Sequence, residues 1–69
     1  MNIQKTGKYI VKLRKGKEWT QLQLAEQLSV SPQAVSKWEN GVSDPSTSNL
    51  IELAKLFQIS AEELLNEVK

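Results

Sequence analysis

The chain has 69 residues, with nine Lys or Arg against eight Asp or Glu and neither histidine nor cysteine. A chain of this length forms one small domain that buries only roughly 60% of its unfolded surface, which leaves little room for a substrate cavity. Without Cys or His there is no disulfide, thiolate nucleophile, imidazole base or ordinary zinc site, so we expect neither an enzyme nor a bound metal or cofactor.

Charge is distributed unevenly along the chain. Residues 1–37 hold seven cations and two anions, a balance of +5, whereas residues 38–69 hold two cations and six anions, a balance of −4. Such a chain can present a basic side to a polyanion although its net charge is only +1. A chance scatter of solvated charges explains the same numbers. The longest apolar run, at 9–11, is too short for a membrane span or a signal peptide, so we expect a cytoplasmic protein with no membrane partner.

The spacing of apolar residues predicts an all-α protein. They recur at intervals of three and four residues, the period of half-buried helices, and no stretch alternates with period two. Five helices are expected, at about 5–16, 21–28, 32–40, 47–57 and 61–67. The first has a basic stripe opposite Ile10 and Leu13, and this stripe either is a solvated face or steers phosphates. The basic stripe consists of Lys5, Lys8, Lys12 and Lys15.

Helix start and stop signals support this segmentation. Capping boxes are predicted at 20–23 and 60–63, where a hydroxyl residue is followed three positions later by Gln or Glu. Ser31 before Pro32 is typical of a helix start, because proline lacks an amide hydrogen that the first helical position does not need. Gly41 and Pro45 end the third helix and open a polar loop. Trp19, just before the second helix, is expected to pack as a hydrophobic staple.

The third helix has two opposed faces at about 100° per residue. Its apolar face consists of Ala34, Val35 and Trp38. Its polar face offers amides, a hydroxyl and an ammonium group, which suit base edges in a major groove as well as plain solvent. This face consists of Gln33, Ser36, Lys37 and Asn40. The second helix precedes it by a three-residue turn, the spacing of a helix-turn-helix, and begins at Thr20-Gln21, where unpaired amides suit a phosphate.

Residues along nearly the whole chain, from about 7 to 65, resemble the Xre/Cro/C1 helix-turn-helix family of bacterial and phage repressors. The segments that carry the resemblance are Trp19-Thr20-Gln21, Leu24-Ala25, Val30-Ser31, Gln33-Ala34-Val35-Ser36-Lys37-Trp38-Glu39-Asn40-Gly41, Pro45, Leu53-Ala54, Ile59-Ser60 and Leu64-Leu65. The resemblance implies a single λ-repressor-like domain over 1–69, with a helix-turn-helix at about 21–40. It also implies a homodimer that binds double-stranded operator DNA with two related half-sites. No small-molecule ligand is evident from the sequence.

The resemblance also implies roles for individual residues. The residues that it places in the major groove, in contact with bases, are Pro32, Gln33, Ser36 and Lys37. The residues that it places in contact with DNA phosphates are Thr20, Gln21 and Asn40. Val35 and Trp38 are expected to pack inward, and Arg14 with Glu39 is expected to form an ion pair that ties the first helix to the third.

Three features depart from the family pattern. Pro32 has no donor, which reduces its position to van der Waals contact with a base. Ser29 and Gln58 stand where the family commonly has glycine, so either they adopt the left-handed conformation or the turns differ. The loop at 42–49 has no Lys or Arg for phosphate contacts.

Three functions fit these residues. The first is a transcriptional regulator, most simply a repressor. The second keeps the DNA reader but makes protein binding the main role, as in an antitoxin. The third is a helical interaction module without DNA binding. The apolar residues at 64, 65 and 68 exceed what seals a small core, so one of them is expected at a dimer contact.

Overall fold

Five helices account for the regular structure of residues 2–69. The computed structural model describes residues 2–69, and no strand occurs in that range. The helices are α1 (Ile3–Gly16), α2 (Gln21–Leu28), α3 (Pro32–Glu39), α4 (Thr47–Leu56) and α5 (Ala61–Glu67). The predicted all-α, five-helix class is therefore confirmed, whereas Met1, the first residue of the predicted domain, lies outside the described residues.

Every helix begins behind a polar residue whose side chain accepts a hydrogen bond from the backbone N–H three positions further on. These caps are Asn2, Thr20, Ser31, Ser46 and Ser60. Each cap satisfies one of the N–H groups that a helix start leaves without a partner, which fixes where the helix begins. The cap at position 2 starts α1 two residues before the predicted boundary.

Two of the predicted local features need correction. The capping box at 20–23 forms in both directions, but at 60–63 the described residues show only the bond from the Glu63 N–H to the Ser60 hydroxyl. The helical segments α3 and α4 end one residue earlier than expected, because Asn40 and Phe57 are their C-caps.

The turns after α2 and α4 have the same construction. Ser29 and Gln58 both adopt the left-handed conformation at φ 57°. The next residue's N–H then reaches back five positions, from Val30 to the Ala25 carbonyl and from Ile59 to the Ala54 carbonyl, at 3.0 Å each. For these two positions the sequence left open whether the residues adopt the left-handed conformation or the turns differ from those with glycine. The structure shows the first alternative, because Ser29 and Gln58 both adopt the left-handed conformation although neither is glycine.

A main apolar core joins the first four helices. Its fully or almost fully buried members are Ile10, Leu24, Ala25, Val35, Trp38 and Leu53. Trp19 packs against this core as expected, and its ring also lies 5.8 Å from that of Phe57, centroid to centroid. The core therefore holds α3 from behind, through the apolar face that the sequence predicts.

A second, smaller cluster fastens α5 to the rest of the molecule. It contains Tyr9, Ala54, Leu64 and Val68. The Asn2 N–H also donates to the Val68 carbonyl at 2.9 Å, which joins the two ends of the described chain. No helix between residues 2 and 69 has the length and apolar content needed to cross a membrane.

Candidate nucleic-acid interface

The turn between α2 and α3 orients the third helix. Ser29 ends α2 in the left-handed conformation, and the Ser31 hydroxyl caps α3 by accepting from the Ala34 N–H at 3.1 Å. Pro32 occupies the first turn of α3, where its fixed φ and missing N–H favour helix initiation. A turn of only three residues leaves α3 few orientations relative to α2, so the two helices behave as one unit.

Burial separates the two faces of α3 as the sequence predicts. Val35 is 0% and Trp38 4% exposed, so both side chains belong to the core. The opposite face is open: Gln33 and Lys37 are exposed, and Ser36 is half-buried. Pro32 is exposed at the start of the same helix. The structure thus brings the four predicted base-reading residues to one side of a helix whose other side is fixed in the core.

The far end of this face has a hydrogen bond of its own. The Asn40 side-chain amide donates to the Ser36 hydroxyl at 3.3 Å, and Asn40 is exposed. The Ser36 oxygen accepts in this bond, so its own hydrogen stays free to donate outward. The Asn40 amide and the Ser36 hydroxyl therefore lie together on the polar face of α3, where both can contact a ligand of this helix.

The predicted ion pair between Arg14 and Glu39 is present and bidentate. The Nε of Arg14 donates to Oε2 of Glu39 at 2.7 Å, and Nη2 donates to Oε1 at 3.0 Å. Their side chains are 13% and 4% exposed. The Glu39 hydrogen bond raises the pKa of Arg14 above its ordinary value, against the opposing effect of burial. Arg14 also donates to the Trp19 carbonyl at 2.8 Å, so one guanidinium holds α1, the turn before α2 and the end of α3.

Gln21 takes part in the same network, which sequence reasoning missed. Its side-chain Nε2 donates to Oε1 of Glu39 at 2.9 Å, and the residue is half-buried. Gln21 is expected at a phosphate, yet here one of its two amide hydrogens is used inside the protein. The other hydrogen remains for an external acceptor. The signal that the sequence offered was weak, because residues 21 and 39 are far apart in the chain.

The start of α2 presents backbone donors. The Thr20 hydroxyl accepts from the Gln23 N–H at 3.1 Å, and the Thr20 N–H donates to the Gln23 side chain at 2.8 Å. The N–H groups of Gln21 and Leu22 have no acceptor within residues 2–69. Two free N–H groups at the positive end of a helix dipole suit a phosphate oxygen. The Gln21 side chain at this helix start contacts Glu39, the last residue of α3.

Gly7 provides a close approach that the sequence analysis did not identify. A Cβ at this position would lie 2.4 Å from the Trp38 carbonyl oxygen and 2.9 Å from that of Glu39. Only glycine lets the backbone of α1 come this near to the end of α3. A glycine in the middle of an otherwise regular helix is the one hint that the sequence contained.

Cations are sparse on the candidate interface. Lys37 is the only Lys or Arg between residues 32 and 46. The basic stripe is exposed on α1, where three of its members line a shallow groove with Tyr9, Asn66 and Glu67. Within residues 2–69, no group of three or more His, Cys, Asp or Glu side chains is placed to hold a metal ion.

Comparison with known proteins also indicates a helix-turn-helix domain. A family model described as helix-turn-helix matches residues 10–64. The chain is 50% identical over 54 residues to the HTH-type transcriptional activator BcrR of Enterococcus faecalis, a match to 78% of this chain and 26% of that protein. It is 43% identical over 54 residues to the HTH-type transcriptional regulator DicA of Escherichia coli (strain K12), which again matches 78% of this chain and covers 40% of that protein.

A solved structure extends the likeness to three dimensions. The crystal structure of the c2 repressor of Salmonella phage P22 with a synthetic operator superposes with a TM-score of 0.77 and 34% identity, over 86% of this chain and 89% of that one. The chain therefore spans less than half of the length of each of these two curated regulators, but most of the length of this solved structure. By the family model, these identities and its λ-repressor-like fold, the chain belongs to the Xre/Cro/C1-type helix-turn-helix family.

Proposed function

We propose that residues 1–69 form a DNA-binding domain that reads double-stranded operator DNA in the major groove and regulates transcription. The observation that carries this proposal is the open polar face of α3, held in one orientation by the core and by the Arg14–Glu39 pair. Similarity to named transcriptional regulators, and to a repressor solved with operator DNA, supports it.

The base-reading groups are Gln33, Ser36 and Lys37, with Pro32 in apolar contact beside them. A Gln amide pairs bidentately with adenine, a Lys ammonium donates to guanine, and a Ser hydroxyl pairs with either. Pro32 offers only carbon atoms, which suit a thymine methyl group. Discrimination between DNA sequences therefore comes mainly from the Gln33 amide and the Lys37 ammonium group.

Phosphate contacts come from the start of α2 and the end of α3. The free N–H groups of Gln21 and Leu22 receive one phosphate, together with the second amide hydrogen of Gln21. Thr20 lies at the same helix start, and Asn40 contacts a phosphate at the other end of the reading face. Because these donors are mostly neutral, a single domain binds weakly, and we propose that two copies bind two half-sites as a homodimer.

We further propose that binding represses transcription, because a bound dimer covers DNA that a polymerase must occupy. A regulator of this class works where bacterial and phage DNA is transcribed, so we propose that the protein acts in the cytoplasm. A reporter gene with the bound sequence at its promoter tests whether binding represses or activates transcription. Expression falls for a repressor and rises for an activator.

Selection of bound duplexes from a random pool tests the proposal as a whole. We expect a recovered motif with two related half-sites, whose centres lie about 34–36 Å apart or a multiple of that distance. Affinity for it falls by about 10³-fold between 50 and 200 mM salt if six phosphates are contacted. A protein that binds no duplex at low salt contradicts the proposal and favours an interaction module instead.

Substitutions then test the reading face. Gln33→Ala and Lys37→Ala each reduce discrimination at one base pair by about 1–3 kcal/mol and leave thermal stability almost unchanged. Gln27→Ala and Lys55→Ala are the matched controls, because both residues are exposed outside α3. An equal loss on every duplex sequence means that the α3 residues contact only the DNA backbone.

A further inference from the structure

The basic stripe of α1 is a row of four like charges to which the proposed function gives no role. All four lysines are exposed, and no carboxylate of residues 2–69 lies within 4.0 Å of their ammonium groups. Lys55, by comparison, lies 3.8 Å from Glu52. Lys5 and Lys15 are ten residues apart, so the stripe runs for about 15 Å along the helix. A row of unpaired cations on a rigid helix attracts an elongated anion.

Three of these lysines stand beside a groove between α1 and α5. This α1–α5 groove has a volume of about 400 Å³ and is lined by Lys5, Lys8, Tyr9, Lys12, Asn66 and Glu67. A small molecule usually buries about 70–90% of its surface in an enclosed pocket, which a shallow groove does not provide. A longer chain that lies along the groove gains contacts over its whole length instead.

Tyr9 supplies a hydrogen-bonding group to the groove. Its side chain is only 9% exposed, and its hydroxyl makes no hydrogen bond within residues 2–69. No side-chain oxygen or nitrogen in that range is both fully buried and without a partner, so the Tyr9 oxygen is accessible from the groove that the residue lines. Largely buried hydroxyls usually have a partner, so this one offers a position for a polar group of a ligand.

The charges on α5 indicate which polyanion fits. Glu67 lines the groove, and Glu63 lies one turn earlier on the same face of α5. Packed helices are about 8–10 Å apart, and a DNA duplex is wider than its own major groove of about 12 Å. A duplex on the stripe therefore also covers these carboxylates, which repel it. An extended polypeptide needs only about 5 Å of width, so it can follow the lysines alone.

We propose that the α1–α5 groove docks an acidic segment of another protein, whose carboxylates contact the three lysines of the groove. The Tyr9 hydroxyl and the Asn66 amide then donate to carbonyl groups of the segment, and Glu67 accepts from its N–H groups. No residue of α2 or α3 lines the groove, so the segment can bind while α3 contacts DNA. An acidic protein can therefore act on this domain without competing for the reading face.

A fluorescein-labelled peptide of about ten glutamates is the probe, since it spans the stripe in either a helical or an extended form. We expect saturable binding, measured by fluorescence anisotropy, that weakens as salt rises from about 20 to 200 mM. Lys8→Glu is expected to weaken binding about tenfold. Lys55→Glu makes the same change in net charge at an exposed position outside the groove, and is expected to bind within about twofold of the unchanged chain.

Tyr9→Phe tests the groove separately from its charge, because it removes only the hydroxyl. It is expected to weaken peptide binding about three- to tenfold while its melting temperature shows that it is folded. A Tyr9→Phe variant that binds like the unchanged chain overturns docking in the groove. Equal binding by Lys8→Glu and Lys55→Glu overturns it as well, and so does a chain that binds no peptide at about 1 mM.

A random duplex of about one helical turn, at low salt, separates this docking surface from the reading face. The duplex is expected to bind Lys8→Glu and Lys55→Glu alike and to leave the peptide bound. Displacement of the peptide, or a larger loss of duplex binding in Lys8→Glu, means that the stripe contacts DNA phosphates and overturns the proposal. Peptide binding without duplex binding contradicts the proposed function alone, whereas duplex binding without peptide binding overturns the docking surface alone.

Discussion

At the scale of single residues, Gly7 sets the distance between α1 and α3. Gly7→Ala places a Cβ against the Trp38 and Glu39 carbonyl groups, which cannot move without shifting the end of the reading helix. We expect a loss of about 1–3 kcal/mol in the free energy of unfolding, despite the better helix propensity of alanine. Gly16→Ala is the control, since its Cβ meets nothing within 4 Å. Urea unfolding compares the two, and equal effects contradict the close approach.

Tyr9 is a residue whose ionisation depends on folding. Burial raises its pKa, and the carboxylates of Glu63 and Glu67 raise it further. The folded protein thus keeps the phenol proton to higher pH than the unfolded chain does. The resulting stability is complete below the unfolded pKa of about 10 and is lost as pH rises through the folded pKa.

The chain has one tyrosine, so its ultraviolet phenolate absorbance reports this group alone. We expect a higher titration midpoint in buffer than in concentrated urea, and a lower one in Glu63→Gln than in the unchanged chain. Tyr9→Phe should lose less stability than the unchanged chain across this alkaline range, because lysine titration is common to both. Identical midpoints in the folded and unfolded chain contradict the prediction.

At the scale of elements, the turns after α2 and α4 adopt a conformation that suits glycine. Ser29→Gly and Gln58→Gly are each expected to raise the free energy of unfolding by a few tenths to about 1 kcal/mol, because glycine adopts φ 57° without a Cβ clash. Ser48→Gly, at an exposed position inside α4, is expected to lower it by a similar amount. Thermal unfolding distinguishes the signs, and a loss of stability in all three variants contradicts the argument.

Helix starts were predictable because their signals are local. A capping hydroxyl and the N–H that it accepts lie three residues apart, so Thr20, Ser31 and Ser60 marked α2, α3 and α5 without knowledge of the fold. Asn2 has the same role in α1, but Ile3 is the only large apolar residue between it and Tyr9, and the predicted start came two residues late. Exact helix ends depend on tertiary packing, which a local pattern does not contain.

In the candidate site, too, a local sequence pattern predicts some features and misses others. The polar and apolar faces of α3 follow from helical periodicity, and burial of Val35 and Trp38 agrees with it. The bond from Gln21 to Glu39 and the approach of Gly7 to the end of α3 join residues 18 or more positions apart. Such contacts depend on how helices pack, so no spacing rule along the chain predicts them.

At the scale of the whole molecule, one largely buried polar network joins α1, α2 and α3 in addition to the apolar core. Arg14 and Glu39 join α1 to α3, and Gln21 and the Trp19 carbonyl extend the network to the start of α2. Glu39→Gln keeps the shape of the side chain but leaves the Arg14 guanidinium largely buried without a counter-charge. We expect this substitution to lower the free energy of unfolding by about 3–5 kcal/mol, a large part of the stability of a small domain.

Glu52→Gln is the matched control, because it removes the charge from an exposed pair with Lys55 at 3.8 Å. Solvent screens that pair, so its loss should change the free energy of unfolding by no more than about 0.5–1 kcal/mol. Urea unfolding measures both, and equal small effects mean that the buried pair does not hold the helices together. In DNA binding, Glu39→Gln should weaken every duplex sequence alike, since it loosens the orientation of α3 without altering the base-reading side chains Gln33, Ser36 and Lys37. Lys37→Ala, in contrast, should weaken some sequences far more than others, and this difference separates the residues that orient the reading face from those that read.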